Sequence, residues 1–426
     1  MHRPHILIAS LVLVSGNLGV ATPVVAQEPV VVVRAARLLD VEGGGIVSDG
    51  VVVVEGERIA AVNPDALPAG AETIDLGDVT LLPGLIDAHT HLTGDLEGDW
   101  VHRGVTGTLA EAALRGARNA RRTLEAGFTT VRDLGAPGFA DVALARAVDA
   151  GWIEGPRIVP AGHALGITGG HCDETGYAPG ILEADWRAGV ADGVDEVVKA
   201  VRYQIKHGAR VIKVCATAGV LSHEASVGAQ QYTEEELRAI VEEAARHGLR
   251  VAAHAHGTEG IKAAVRAGVA SIEHGSLVDG EAIAMMKERG TWLVPTTYLT
   301  GRIDLEALPP AIRAKAEEVI PLAVENLRRA VAAGVPIAFG TDAAVFPHGE
   351  NAGEFAALVD RGMAPLEAIR AATLNGAELL GVDDRGVIAL GRLADLIAVP
   401  GNPLEDVRVL EDIRFVMLGG KVVSRP

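Results

Sequence analysis

The densest chemistry in the chain is a pair of histidines. His89-Thr90-His91 closes an apolar run from Val79 to Ala88, and in an extended strand residues two apart point to the same side. Both imidazoles can therefore share one cation. Three further groups follow short apolar runs at a distance of two to five residues: His254 after Val251-Ala252, His274 after Val269-Ala270-Ser271-Ile272, and Asp342 after Val335-Pro336-Ile337-Ala338. Neutral imidazoles with a carboxylate and no thiolate suit zinc or a similar first-row divalent ion, in a donor set common to hydrolytic sites. Lys213 lies inside Val211-Ile212-Lys213-Val214-Cys215, where an unpaired ammonium is costly. It can attack a carbonyl substrate as a Schiff-base lysine, take up carbon dioxide to become an anionic carbamate shared by two ions, or snorkel as a structural residue. Beside so many potential ligands the carbamate fits better, because an ammonium is repelled by divalent ions.

The elements that must carry these groups repeat a local pattern, a helical stretch that ends at a glycine and passes at once into an apolar strand. It recurs at Gly127, Gly208, Gly248, Gly268, Gly290 and Gly334, each able to take the left-handed conformation that closes a helix. Adding the strand before His89 and the one at Arg157-Ile158-Val159 gives a set that closes a parallel (β/α)8 TIM barrel. In such a fold catalytic groups gather at the C-terminal ends of strands, where the five imidazole and carboxylate positions fall. An open doubly wound sheet is the rival, but no Gly-rich nucleotide loop follows the first strand. Thr233 and Glu236 have the spacing of a capping box at a helix start.

Both ends of the chain are rich in β-branched runs and Gly turns. Val30–Val33 and Val51–Val54 flank Gly43-Gly44-Gly45, and Gly391–Val399 and Ile413–Leu418 surround Gly401-Asn402-Pro403. This texture predicts a small β-sandwich domain built from both chain ends, residues 27–82 and 389–426, around a barrel over 83–388. Residues 1–26 have the pattern of a secretory signal, with His2, Arg3 and His5 before Ile6–Val14 and a small-residue site at Val24-Val25-Ala26. Ser15, Gly16 and Asn17 interrupt that run before spanning length. The expectation is an exported chain, periplasmic or secreted, without a membrane span after cleavage.

The chain has 426 residues, 49% of them apolar and 22% charged, enough for a large core and incompatible with wholesale disorder. A formal charge of -18 repels phosphate backbones and excludes a basic nucleic-acid-binding surface. Only Cys172 and Cys215 occur, so neither a disulfide scaffold nor a cysteine-based zinc finger can be built. One bridge between them is possible in an oxidising compartment, although the Val-Cys-Ala setting of Cys215 reads as a buried, inert thiol.

Taken together, Pro83–His91, Lys213, Ala252–Gly257, Ile272–Gly275 and Phe339–Asp342 resemble the amidohydrolase superfamily along nearly the whole chain after the leader. The Gly166–His171 loop and Tyr232 are most similar to the prolidase-like branch of metal carboxypeptidases and dipeptidases, which includes ochratoxin-hydrolysing amidases. The resemblance implies two divalent ions, zinc by preference: His89 and His91 bind the first with Asp342, His254 and His274 bind the second, and Lys213 bridges both as N6-carboxylysine. It implies Asp342 as the catalytic proton carrier, an amide or dipeptide as the small-molecule substrate, and a homo-oligomer, an octamer. Tyr232, His163 and His171 are the candidates for polarising the carbonyl or holding a substrate carboxylate. Each has a blander reading, Tyr232 as packing before the capping box and the two histidines as solvated loop residues. His256 reads as support behind the ligands, Glu234-Glu235-Glu236 as a solvated first turn, and His223 and His348 as barrel-mouth residues of no assigned role. Rival activities are a cyclic-amide hydrolase of the imidazolonepropionase or hydantoinase kind and a Schiff-base lyase using Lys213.

Overall fold

A computed structural model describes residues 30–95, 100–222 and 226–425 of the chain. The expected leader at 1–26 and His223 lie outside the described residues. No described helix is long and apolar enough to cross a membrane.

The valine-rich ends join in one eight-stranded sheet. Val30–Asp40 pairs antiparallel with Gly45–Glu55 and parallel with Val79–Pro83. On its far edge Val79–Pro83 takes Leu396–Pro400 antiparallel, and Phe415–Leu418 and Lys421–Ser424 continue the sheet outward. The two chain ends thus meet edge to edge through backbone hydrogen bonds. Val33, Val52, Leu81, Leu396 and Phe415 form the core beneath the sheet, the arrangement that alternating β-branched residues favour.

The run Val79–Ala88, read as a single strand, is divided between two sheets. Val79–Pro83 belongs to the terminal sheet and Leu85–Thr90 to the parallel one. Gly84 makes the switch, its N–H donating to Asp395 O at 2.8 Å. The parallel strands form two arcs: Leu85–Thr90, Phe128–Asp133 and Arg157–Pro160 in one, Ile212–Cys215, Val251–Ala255, Ser271–His274 and Trp292–Val294 in the other. Single pairs join the arcs, Leu165 with Val214, Leu293 with Ile337 and Thr90 with Ala343. The expected last strand after Gly334 forms no regular ladder, because Pro336 has no N–H to donate. It still bonds to both neighbours, with Leu293 N donating to Pro336 O at 2.8 Å and Ala88 N to Phe339 O at 2.8 Å.

Helices alternate with these strands, and all six junction glycines have positive φ. Glu234–Arg246 starts with the anticipated capping box, the Thr233 hydroxyl accepting from Glu236 N at 3.2 Å and the Glu236 carboxylate from Thr233 N at 2.8 Å. Regular caps and strand registers of this kind fix the rim on which the chemistry sits.

Candidate metal centre

Five of the six expected ligands stand at or just beyond the C-terminal ends of parallel strands or of the extended chain beside them. His89 is the next-to-last residue of Leu85–Thr90 and His91 follows that strand, while His254 and His274 lie on the adjacent strands Val251–Ala255 and Ser271–His274. The sixth, Lys213, lies on the neighbouring strand Ile212–Cys215, in register with Ala252. All six side chains line one cavity of about 260 Å³.

Their polar atoms converge. Asp342 Oδ1 lies 3.5 Å from His89 Nε2 and 3.4 Å from His91 Nε2. One ligand atom each from His89, His274 and Asp342 falls within 4.8 Å of the others, and the same holds for His254, His256 and His274. The outer ring nitrogens are spoken for: His89 Nδ1 meets Glu273 Oε2 at 2.9 Å, His91 Nδ1 meets Gly135 O at 3.1 Å, and His274 Nδ1 meets Thr296 Oγ1 at 2.8 Å. Anchoring Nδ1 turns Nε2 toward the cavity and fixes the tautomer a metal ligand needs. Asp342 is fixed through its backbone, its N–H donating to His89 O at 2.7 Å. The preceding Thr341 is held by the buried Asp87 carboxylate, which accepts from Thr341 N at 3.1 Å.

Backbone strain is concentrated here. His274, Thr296 and Asp342 have φ of 70°, 49° and 58°, a left-handed conformation that costs a non-glycine residue about 1–3 kcal/mol and that tends to be kept at functional sites.

Burial sets the protonation states. Burial, then the nearby Lys213, holds His89 well below its ordinary value, and burial does the same to His254 and His274. His91 is pushed down to about 4 by burial and Lys213. These imidazoles are neutral lone-pair donors. Burial lowers the Lys213 amine to about 8, against the pull of Glu273 and Asp342, and raises the Asp342 carboxyl to about 7. A divalent ion fits this donor set on a further ground, since the buried His254 Nε2 has no hydrogen-bond partner, which a ligating nitrogen does not need.

The three expected substrate contacts separate. His171 lines the cavity, its ring stacked on that of His254 with centroids 4.1 Å apart. Tyr232 does not reach it: the side chain is fully buried in the core and its hydroxyl donates to Ala191 O at 3.1 Å. His163 also departs from expectation. It faces an adjoining cavity, accepts from Gly138 N at 3.0 Å and packs edge-on against Phe139. His256 lines the same cavity, with Nδ1 2.8 Å from Ser276 Oγ, and His348 packs with Nε2 3.3 Å from Gly94 O. Much of the remaining lining is aliphatic, with Val220, Leu221, Leu299, Ile303 and Ile320 among it.

One element escaped the sequence reading. Glu273 and Arg132 form a fully buried ion pair at 2.9 Å behind His89; each is a charged residue within a strand segment, a signal that acquires meaning only when the two are paired. Of the two readings left open for the cysteines, the bridge is the one present: Cys215 is disulfide-bonded to Cys172, with Cα atoms 5.9 Å apart.

Residues 80–423 match the Amidohydrolase family. Ochratoxinase from Aspergillus niger is 40% identical over 372 residues, which cover 81% of this chain and 76% of that protein. Among solved structures, a Xaa-Pro dipeptidase with bound methionine in the active site superposes with a TM-score of 0.88 at 38% identity, over 93% of this chain and 100% of that one. The A. niger ochratoxinase structure superposes with a TM-score of 0.85 at 35% identity, over 94% and 97% of the two chains. With strand-end imidazoles on alternating strands and helices, these likenesses define an enzyme of TIM-barrel type that hydrolyses amide C–N bonds. The chain belongs to the amidohydrolase family.

Proposed function

We propose that the chain is a binuclear metal-dependent hydrolase that releases a C-terminal amino acid from dipeptides or N-acyl amino acids, ochratoxin-type amides included. The observation that carries this reading is the convergence of His89, His91, Lys213, His254, His274 and Asp342 on one cavity. His89, His91 and Asp342 would hold one divalent ion, His254 and His274 a second, and Lys213 would link them as N6-carboxylysine, with zinc the ion that best suits these donors. When bound, such ions supply a nucleophilic water at neutral pH and polarise the scissile carbonyl.

The chain's own groups do the rest. Asp342 Oδ1 faces His89 and His91, leaving Oδ2 to take a proton from the attacking water and pass it to the leaving amine. His171 stands on the cavity wall where it can orient the substrate carbonyl or carboxylate. Val220, Leu221, Leu299 and Ile303 exclude bulk water and receive an apolar side chain. The reading includes a closed eight-stranded barrel, made of the two arcs and the chain at 335–343, and a homo-oligomer, an octamer. It also includes export to the periplasm or medium, which the disulfide supports because such bridges persist in oxidising compartments.

The deciding experiment measures amino-acid release by the zinc-loaded protein from a panel of N-acyl amino acids, dipeptides and ring amides, with metal stoichiometry determined on the same sample. Release from open-chain substrates with two ions per chain supports the reading. Turnover of ring amides alone transfers the protein to the cyclic-amide class, and borohydride trapping of a carbonyl compound on Lys213 transfers it to the lyases.

A further inference from the structure

Between Arg157–Pro160 and Val194–His207 the chain makes a long excursion over the rim of the site. Its base is tied down by backbone bonds: Leu165 N donates to Lys213 O and Cys215 N to Leu165 O, both at 2.8 Å, and Gly166 N donates to Gly189 O at 3.0 Å. Beyond that base the tie is covalent. Cys172 is bonded to Cys215, two residues past Lys213 on the same strand, and both cysteines line the metal cavity. The residue before Cys172 is His171, whose ring lies on His254.

The backbone is cut to fit this closure. A Cβ on Gly166 would come within 2.7 Å of Cys172 Cβ, and one on Gly219 within 2.3 Å of the His171 ring. The loop and the imidazole therefore close against bare main chain, and the neighbouring polar contact is His171 N donating to Gln231 Oε1 at 3.1 Å.

We propose that the Cys172–Cys215 disulfide is a positioning device that holds His171 over His254 as the substrate-facing wall of the metal cavity. Cleaving the bridge removes a constraint across 43 residues of sequence and returns conformational freedom to the loop. His171 then leaves its seat while the ligands, held by the parallel strands and by the backbone bonds of His91 and Asp342 at their ends, stay in place. The kinetic part of this inference rests on the hydrolase reading above; the seating of His171 does not.

The test compares the oxidised protein, the same protein reduced by a water-soluble phosphine, and the Cys172→Ser/Cys215→Ser double variant, all zinc-loaded. The phosphine is oxidised to its oxide with oxygen from water, and the two sulfurs take the electrons and protons as thiols; unlike a dithiol it competes little for zinc. Reduction should raise KM for an N-acyl amino acid about tenfold, the value of one substrate hydrogen bond, and raise it more than it lowers kcat, with metal stoichiometry unchanged. His171→Asn should raise KM alike in the oxidised protein, and reducing that variant should add nothing further. Independently of turnover, carbethoxylation of His171 mapped by mass spectrometry should be slow in the oxidised protein and about tenfold faster once the bridge is cut, as expected for a local opening that costs about 1.4 kcal/mol less. Unchanged KM and unchanged His171 reactivity, with only the melting temperature lowered, would show a purely structural cross-link and overturn the proposal. If the oxidised protein hydrolyses none of the substrates, the hydrolase reading fails, and the carbethoxylation rates still decide the role of the bridge.

Discussion

His89 Nδ1 lies 2.9 Å from Glu273 Oε2, and both side chains are sealed from solvent. The second carboxylate oxygen of Glu273 meets Arg132 at 2.9 Å, and Arg132 also donates to Ala88 O and to Ser271 Oγ. The pair is thus neutral overall while presenting an anionic acceptor to one imidazole. His91 and His274 lean on uncharged oxygens instead.

Replacing Glu273 therefore acts on the metal before it acts on the substrate. Glu273→Gln keeps an acceptor but loses the charge, and should weaken zinc binding about 10–100-fold, the usual effect of removing a ligand's supporting group. Competition against a chromophoric chelator measures it. Glu273→Ala leaves the buried Arg132 guanidinium unpaired and should lower stability by about 3–5 kcal/mol, read from the denaturant midpoint.

Lys213→Ala should abolish metal-dependent hydrolysis and leave the circular dichroism spectrum unchanged, since an alanine in the strand Ile212–Cys215 removes the amine without disturbing the ladder to Val251–Ala255. Undiminished turnover by the variant would end the bridging role assigned to this lysine.

Metal removal should show in stability as well as in rate. An ion that binds only the folded chain stabilises it by about 2.7 kcal/mol at a free concentration one hundred times its Kd. Chelator dialysis should therefore lower the melting temperature and silence hydrolysis, and added zinc should restore both. A melting temperature indifferent to zinc would contradict the donor assignment.

Acid should weaken the fold through Glu243. Its hydrogen bond from Arg202, with help from Arg246, holds its carboxyl down to about 2, against an ordinary 4.5. A carboxylate depressed in the folded state contributes its stability above the ordinary value and loses it as pH falls from about 4.5 toward 2. Glu243→Gln should thus be less stable than the parent at pH 6 and converge with it near pH 2. Urea midpoints at several pH values check the convergence.

Much of the site was legible because its ligands follow short apolar runs whose helices end at glycine, so position along a strand could be inferred from local pattern alone. Features set by distant partners were not. The hydroxyl of Tyr232 finds Ala191 O, and His163 finds Phe139 and Gln204, contacts no spacing encodes. The division of Val79–Ala88 between two sheets depends on Leu396–Pro400 arriving from the far end of the chain. The irregular chain after Gly334 was foreshadowed by Pro336, whose missing donor outweighs the apolar pattern around it. Arg132 and Glu273 are intelligible only as a pair, since either alone inside a strand would be too costly to keep.

The meeting of the two termini in one sheet also bears on how the chain is made. Without residues 396–424, Val79–Pro83 would have one side bonded to Val30–Asp40 and the other bare. That naked border, apolar and already extended, is a template for a neighbouring nascent chain. A stop codon shortly before Leu396 should therefore yield insoluble protein despite sparing every ligand, because the strands that cover this edge come last in the chain.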